Sequence, residues 1–223
     1  MHRPLDSMLL LAVGLVVAVA VTSKPPVSFA QDPADTRNES RIKRGFEIAP
    51  VPLNLEGKNR ALVGLGSYLV NTNECVDCHS RTPGEGGSVH WWFAPGGNPF
   101  LGQPEQINTD HYLWGGGLFM VPDVDGTLQP VISRNLTPDA SGLPAGYTFE
   151  QFWLVIRTGI DLKKLEPHIP SAEHDLLQAM PWPFFDEFTD HDLRAIYEYL
   201  SAIPCIEGPP NLPAAPHPCQ GSE

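Results

Sequence analysis

Two cysteines and a histidine stand close together in the segment NTNECVDCHS. Two residues separate Cys75 from Cys78, and His79 follows directly, which gives a C-x-x-C-H pattern. Thiolates and imidazole nitrogens bind metal ions, and a pair of thiols can also exchange with a disulfide. The same pattern attaches haem c through two thioethers, with the histidine on the iron. The motif therefore allows three chemistries, namely zinc binding, dithiol exchange and covalent haem attachment.

The surrounding sequence favours haem over the other two chemistries. A zinc site needs a second ligand pair at short spacing, and His168 and His174 lie far along the chain without that spacing. A thioredoxin-like dithiol follows a buried strand, whereas the apolar residues before this motif recur at helical spacing. We therefore predict one covalent haem c, attached at Cys75 and Cys78, with His79 as the proximal ligand of the iron.

Residues 1–30 are typical of a signal peptide. Arg3 precedes an apolar run without charges from Met8 to Val21, and Ser28 and Ala30 form a small-x-small cleavage pattern. The run is shorter than the ~20 residues of a membrane-spanning helix. We expect a periplasmic or secreted protein, associated with the membrane only through an uncleaved segment or a complex.

The composition limits the partners. A formal net charge of −12 over 223 residues argues against nucleic acid and favours redox partners with a basic docking face. Acidic residues also cluster near the C-terminal helix, where they either steer a basic partner or cap the helix. These residues are Asp186, Glu187, Asp190 and Asp192.

Export also suggests a role for the remaining two cysteines. Cys205 and Cys219 flank a proline-rich loop, and thiols in an oxidising compartment tend to pair. We predict a disulfide that closes the C-terminal tail, 205–223, and the alternative is two unpaired thiols.

Hydrophobic periodicity and turn signals predict a mainly α fold. Residues 31–57 are expected to be a linker and an extended strap, and the domain to span 58–204. A helix over about 59–71 ends at the haem motif, and its Gly64 and Gly66 either permit a close approach or are simply tolerated. Residues 81–146 are rich in glycine and aromatic residues. They are predicted to pack over the haem edge, with a β-hairpin at Asp125-Gly126.

Two further helices are well signalled. Thr148 and Gln151 form a capping-box pattern with Gly159 as C-cap, and Thr189 and Asp192 form a second capping box. The second helix carries one apolar stripe, expected to pack across the first helix and enclose the haem. The stripe consists of Leu193, Ile196, Tyr197, Leu200 and Ile203.

The second face of the iron needs its own ligand, and sulfur and imidazole are the common choices. Met180 is the preferred candidate, because Pro181 and Pro183 hold its backbone extended beside the last helix. The alternative role for Met180 is that of a core residue, since most methionines simply fill core gaps. The alternatives are an open site, Met120, or one of the histidines His90, His111, His168, His174, His191 and His217, of which His174 is the first choice.

Three segments resemble exported class I-type monohaem c cytochromes, which are similar to the cytochrome c subunits of alcohol and sugar dehydrogenases. The segments are GSYLVNTNECVDCHS, VISRNLTPDASGLPAGYTFEQFWLVIRTGID and AMPWPFFDEFTDHDLRAIYEYLSAIP. The resemblance implies thioethers at Cys75 and Cys78, with His79 and Met180 as axial ligands. It also places NLTPD beside the haem, from which we predict a haem-propionate contact by Arg134 or Asn135.

The expected function is single-electron transfer rather than catalysis. A haem with both axial positions filled by His and Met leaves no vacancy for a substrate. Two alternatives remain open. The chain is either a haem-relay subunit of a larger oxidoreductase complex, or a haem protein that reacts with peroxide or a gas through a displaceable sixth ligand.

Overall fold

The computed structural model describes residues 33–81, 92–122, 125–162, 176–209 and 219, which all belong to one compact unit, Pro33–Glu223. Most of the regular structure is helical, and one antiparallel hairpin joins it, which confirms the mainly α prediction. Within these ranges, none of the helices has the length and apolar character needed to cross a membrane. The helices are α1 Pro33–Ile48, α2 Arg60–Thr72, α3 Cys75–His79, α4 Phe149–Thr158, α5 Trp182–Phe185 and α6 Asp190–Leu200, and the strands are β1 Leu118–Pro122 and β2 Leu128–Ile132.

Helix α2 lies at the centre of the core, with α1 and α6 packed against it. A methyl group at Gly66 would overlap the carbonyl oxygen of Ala195 in α6 and lie 2.7 Å from Cβ of Tyr199. Gly64 meets α1 in the same way, at 2.8 Å from the carbonyl oxygen of Ile42. Of the two explanations for these glycines, close helix approach is therefore the correct one.

We expect Gly66→Ala to lower the free energy of unfolding by about 3 kcal/mol, because overpacking forces the two backbones apart. Denaturant titration followed by circular dichroism measures this loss. Gly208→Ala is the matched control, since its new methyl group would meet nothing closer than 3.6 Å. Equal losses in the two variants would contradict the close-crossing explanation.

Residues 33–48 are helical, and the prediction of a linker for this stretch is wrong. Their sequence, PADTRNESRIKRGFEI, is mostly polar, which favours a linker over a helix at the level of composition. The helix is held by tertiary contacts instead, since Ile42 and Phe46 lie one turn apart and both meet Gly64 of α2. Lys43 and Arg44 also lie within ion-pair distance of Glu47 on the exposed side. Beyond α1 the chain has no regular structure until α2, and Val51, Leu53 and Leu55 pack on the core.

The predicted caps are confirmed in α4 and α6. Thr148 and Gln151 form the capping box of α4, and Gly159 ends that helix in the left-handed region at φ 69°. Thr189 and Asp192 form the same arrangement at the start of α6. These local bonds fix where each helix begins.

The hairpin is also confirmed, with Leu118 opposite Ile132 and Met120 opposite Pro130. Its outward face is apolar and exposed at Leu118, Met120 and Leu128. The region before it contains short 3-10 turns at Pro99–Leu101 and Thr109–His111. We expect Trp91, Trp92, Phe93 and Trp114 of this region to be packing residues. Trp114 is buried, as are Tyr112 and Leu113, and Trp92 and Phe93 are half-buried, whereas Trp91 lies outside the described residues.

Candidate haem-binding site

The C-x-x-C-H motif forms its own short helix after α2. Asn73 closes α2, and Glu74 adopts a left-handed backbone at φ 63°, which turns the chain into α3. Because α3 is a single helical turn, Cys75 and Cys78 lie on one face of it. Both thiols are free and half-buried. The two sulfurs are thus presented side by side without forming a disulfide.

Burial sets the protonation of these thiols. It raises the pKa of Cys75 to about 12, and it raises the pKa of Cys78, with the Asp77 carboxylate as the next cause. Exchange-active dithiols depend instead on a lowered thiol pKa. In this geometry the two cysteines are protonated at neutral pH and poorly suited to dithiol exchange.

His79 has one ring nitrogen already engaged. Nδ1 lies 2.7 Å from the carbonyl oxygen of Arg134, and since a carbonyl only accepts, Nδ1 must carry the proton and donate. Burial lowers the pKa of His79, which favours the neutral ring. A neutral ring protonated at Nδ1 has a bare Nε2. This is how a metal-binding histidine is commonly oriented by a neighbouring acceptor.

A loop from the glycine-rich region lies against α3 and holds it in place. Gly115 donates its N–H to the carbonyl of His79 at 2.7 Å. The Leu113 N–H donates to Ser80 Oγ at 2.9 Å, and the Trp114 indole donates to the Arg81 carbonyl at 2.8 Å. Through these three hydrogen bonds, residues 113–115 of the glycine-rich and aromatic segment hold the C-x-x-C-H motif in place.

Arg134 and Asn135, the two predicted propionate contacts, both bind protein groups here. The Arg134 guanidinium pairs with Asp161. The Asn135 amide donates to the Ile206 carbonyl at 2.6 Å and accepts from both the N–H and the hydroxyl of Thr137. These bonds tie the NLTPD segment to the chain that follows α6. A role with haem propionates stays a prediction for both residues.

Met180 lies half-buried against the same hydrophobic core as Cys75 and Val76. Two contacts fix the chain around it. The Leu177 N–H donates to the Gly159 carbonyl at 2.7 Å, and the Trp182 N–H donates to the Met180 carbonyl at 2.8 Å. The Trp182 indole also covers Gly159 so closely that a methyl group there would overlap it. The strap, defined here as 176–182, is therefore anchored on both sides of Met180.

The other candidate ligands differ from Met180 in their surroundings. Met120 is 54% exposed on the hairpin, and His191 is exposed on α6. His111 stacks on Trp114 with ring centroids 3.8 Å apart, and its Nδ1 lies 3.1 Å from the Asn108 amide. The candidates that lie outside the described residues are His90, His168, His174 and His217.

The acidic cluster at the start of α6 largely serves the fold. Arg157 of α4 donates to the carboxylates of Asp186 at 3.3 Å and Asp190 at 2.8 Å. The Trp153 indole also donates to Asp190, and these bonds lower the pKa of that carboxyl. Asp192 is engaged by the α6 cap. Much of the negative charge that was predicted to attract a basic partner therefore forms intramolecular bonds.

A buried hydrogen-bond network lies near Cys75, and no pattern in the sequence indicated it. The hydroxyl groups of Tyr112 and Tyr199 are 2.8 Å apart, and Tyr112 donates to Asn71 Oδ1 at 2.7 Å. Both tyrosines are fully buried. They lie on different segments, so no local spacing in the sequence could have paired them. These hydrogen bonds join α2, α6 and the loop that contains Tyr112.

The predicted disulfide is confirmed, since Cys205 and Cys219 are bonded. The bond closes a loop with a sequence separation of 14 residues, after the end of α6.

The variant Cys205→Ala with Cys219→Ala is expected to lose about 3 kcal/mol of unfolding free energy, because the cross-link restricts the unfolded chain. Urea titrations with and without reductant measure this loss. An unchanged midpoint in the variant would contradict the prediction.

Comparison with known proteins identifies relatives of one kind. The chain is 29% identical to the gluconate 2-dehydrogenase cytochrome c subunit of Pantoea cypripedii, over 64% of this chain and 23% of that protein. It is 25% identical to the cytochrome c subunit of the quinone alcohol dehydrogenase of Gluconobacter oxydans, over 72% of this chain and 27% of that protein. The fructose dehydrogenase cytochrome subunit of Gluconobacter japonicus is 24% identical, over 72% of this chain and 25% of that protein.

These matches confirm the resemblance to cytochrome c subunits of dehydrogenases. The chain spans only about a quarter of the length of these curated relatives. No family model matches the chain. No solved structure matches it either.

Proposed function

We propose that this chain is an exported c-type cytochrome that carries single electrons through one covalent haem. The observation that carries the proposal is the hydrogen bond from His79 Nδ1 to the Arg134 carbonyl, 2.7 Å long. It leaves Nε2 free of its proton and directed by a fixed ring, as a proximal ligand requires. The similarity to dehydrogenase cytochrome c subunits supports the same conclusion.

The residues present fit the group. Cys75 and Cys78 supply free thiols for two thioether bonds, and the sequence contains a single C-x-x-C-H motif. His79 and Met180, which the anchored strap carries, would be the two protein ligands of the iron. Bound haem supplies an iron centre that gains and loses one electron. The protein's part is to hold both ligands and to surround the porphyrin with the apolar core formed by α2, α4 and α6.

The partners are redox proteins. The relatives are subunits of dehydrogenases, which favours a complex of that kind as the source of electrons. The net charge of −12 favours a basic docking face on the partner. Glu187 is the member of the acidic cluster best suited to such docking, since Asp186, Asp190 and Asp192 are engaged in the fold. Export places this exchange in the periplasm.

A second candidate function is that of a haem relay inside a dehydrogenase complex, which the similarity to named subunits favours. A free carrier purifies alone and exchanges electrons with soluble donors. A relay subunit co-purifies with a dehydrogenase. The substrate of that dehydrogenase reduces the haem of the relay subunit only when both proteins are present. Purification from the native host followed by substrate-driven haem reduction separates the two.

The haem and its ligation are tested by the spectrum of protein produced with the c-type maturation system. We expect a pyridine haemochrome that shows two saturated vinyl groups. The ferric protein should be low-spin with the weak long-wavelength sulfur-to-iron charge-transfer band. A high-spin ferric spectrum that shifts with low concentrations of cyanide would overturn the carrier and support a peroxide- or gas-reactive protein.

A further inference from the structure

Arg134 makes two contacts with different atoms, one to His79 and one to Asp161. Its backbone carbonyl accepts the Nδ1 proton of His79 at 2.7 Å. Its guanidinium pairs with the carboxylate of Asp161 through Nη2. One residue therefore joins the proximal histidine to the chain that follows α4.

Asp161 lies beside the strap that carries Met180. Its neighbour Ile160 forms an antiparallel bridge with Leu176. The Gly159 carbonyl accepts from the Leu177 N–H at 2.7 Å. Asp161 is thus fixed to the start of the strap, and the Arg134–Asp161 pair links the strap to the carbonyl behind His79.

This ion pair is mostly buried. The side chain of Asp161 is 7% exposed and that of Arg134 is 28% exposed. Replacing such a pair by apolar groups often leaves stability unchanged, whereas removing one partner leaves a charge without compensation. The ion pair by itself is therefore not expected to raise the stability of the fold much. Its planar guanidinium, however, holds the two side chains in a defined relative geometry.

We propose that the Arg134–Asp161 ion pair is a positioning device for the axial ligands, an inference that rests on the proposed haem function. The pair holds the Arg134 carbonyl against His79 Nδ1, which orients the ring and makes Nε2 a stronger electron donor. Through the strap, the same pair keeps the segment of Met180 at a fixed place relative to His79. Loss of the pair loosens the proximal hydrogen bond and eases release of Met180.

Two variants separate positioning from simple charge. Asp161→Asn removes the carboxylate charge and leaves Arg134 unpaired. The double variant Arg134→Met with Asp161→Leu removes both charges and keeps apolar bulk, while residue 134 still presents its backbone carbonyl. Glu47→Gln is the matched control, since it breaks two exposed ion pairs confined to α1.

Three readouts on the holo-protein report on the ligands. NMR of the ferrous protein measures the rate at which the His79 Nδ1 proton exchanges with solvent. Titration with imidazole measures how readily Met180 is displaced from ferric iron. The midpoint potential reports the donor strength of His79. We expect at least about tenfold faster exchange and tenfold tighter imidazole binding in both variants, with a raised potential.

Several results would overturn the proposal. It fails when both variants lose thermal stability but keep wild-type exchange, imidazole affinity and potential, because the pair then serves only the fold. It also fails when the double variant returns to wild-type values, because the unpaired charge alone was then responsible. The proposed function is judged separately on the wild-type protein, which must show the sulfur-to-iron band before any variant is compared.

Discussion

Replacing Cys75 and Cys78 together by alanine is expected to abolish covalent haem attachment completely. The two sulfurs lie on one face of α3 and form no bond to each other. Each sulfur would form one thioether in the proposed site, so their removal would leave at most a dissociable haem. Extraction with acidified butanone, followed by a haem stain of the denatured protein, measures the covalent fraction.

The chain supplies its own matched control for this experiment. The variant Cys205→Ala with Cys219→Ala also removes two cysteines, but these form the disulfide beyond α6. It should retain full covalent haem while losing stability. Covalent haem that survives the loss of Cys75 and Cys78 contradicts the assignment. A single thioether in each of the single variants agrees with it.

Local signals explain why much of the fold could be predicted. The capping boxes of α4 and α6 depend on residues three apart, such as Thr148 and Gln151. Asp125 and Gly126, which marked the hairpin in the sequence, lie between the two strands. Such patterns act over a few residues, so they survive in any fold that contains them. The C-x-x-C-H motif is local in the same sense.

The parts that could not be predicted depend on contacts between distant segments. Helix α1 is polar, and its helical state follows from packing of Ile42 and Phe46 on α2. The acceptor for His79 Nδ1 is a backbone carbonyl, which every residue has, so no residue type marks it. Asp161 gave no signal for the same reason, since its partner Arg134 lies in another loop. The sequence therefore marks candidate ligands by their residue type, whereas nothing in it marks the contacts that hold them.

Replacing Met180 by alanine is expected to remove the sulfur-to-iron charge-transfer band entirely. The strap should keep its place, because its anchors do not involve the methionine side chain. Leu177 bonds to Gly159, and Trp182 packs over Gly159. The loss is therefore confined to the ligand. The vacant position should bind imidazole at least about tenfold more tightly, and the midpoint potential should fall by on the order of 0.1 V, because axial ligands set haem potentials over a roughly 0.8 V range.

Met120→Ala is the matched control for Met180→Ala. Met120 is 54% exposed on the hairpin, so its loss should leave the band, the imidazole affinity and the potential unchanged. If the band survives in Met180→Ala but vanishes in Met120→Ala, the hairpin rather than the strap supplies the ligand. If His174→Ala alone changes the coordination, the distal ligand is an imidazole and the wild-type potential should be lower than thioether ligation gives. Since a filled distal position separates an electron carrier from a haem that binds substrate, these three variants decide the function together with the ligand.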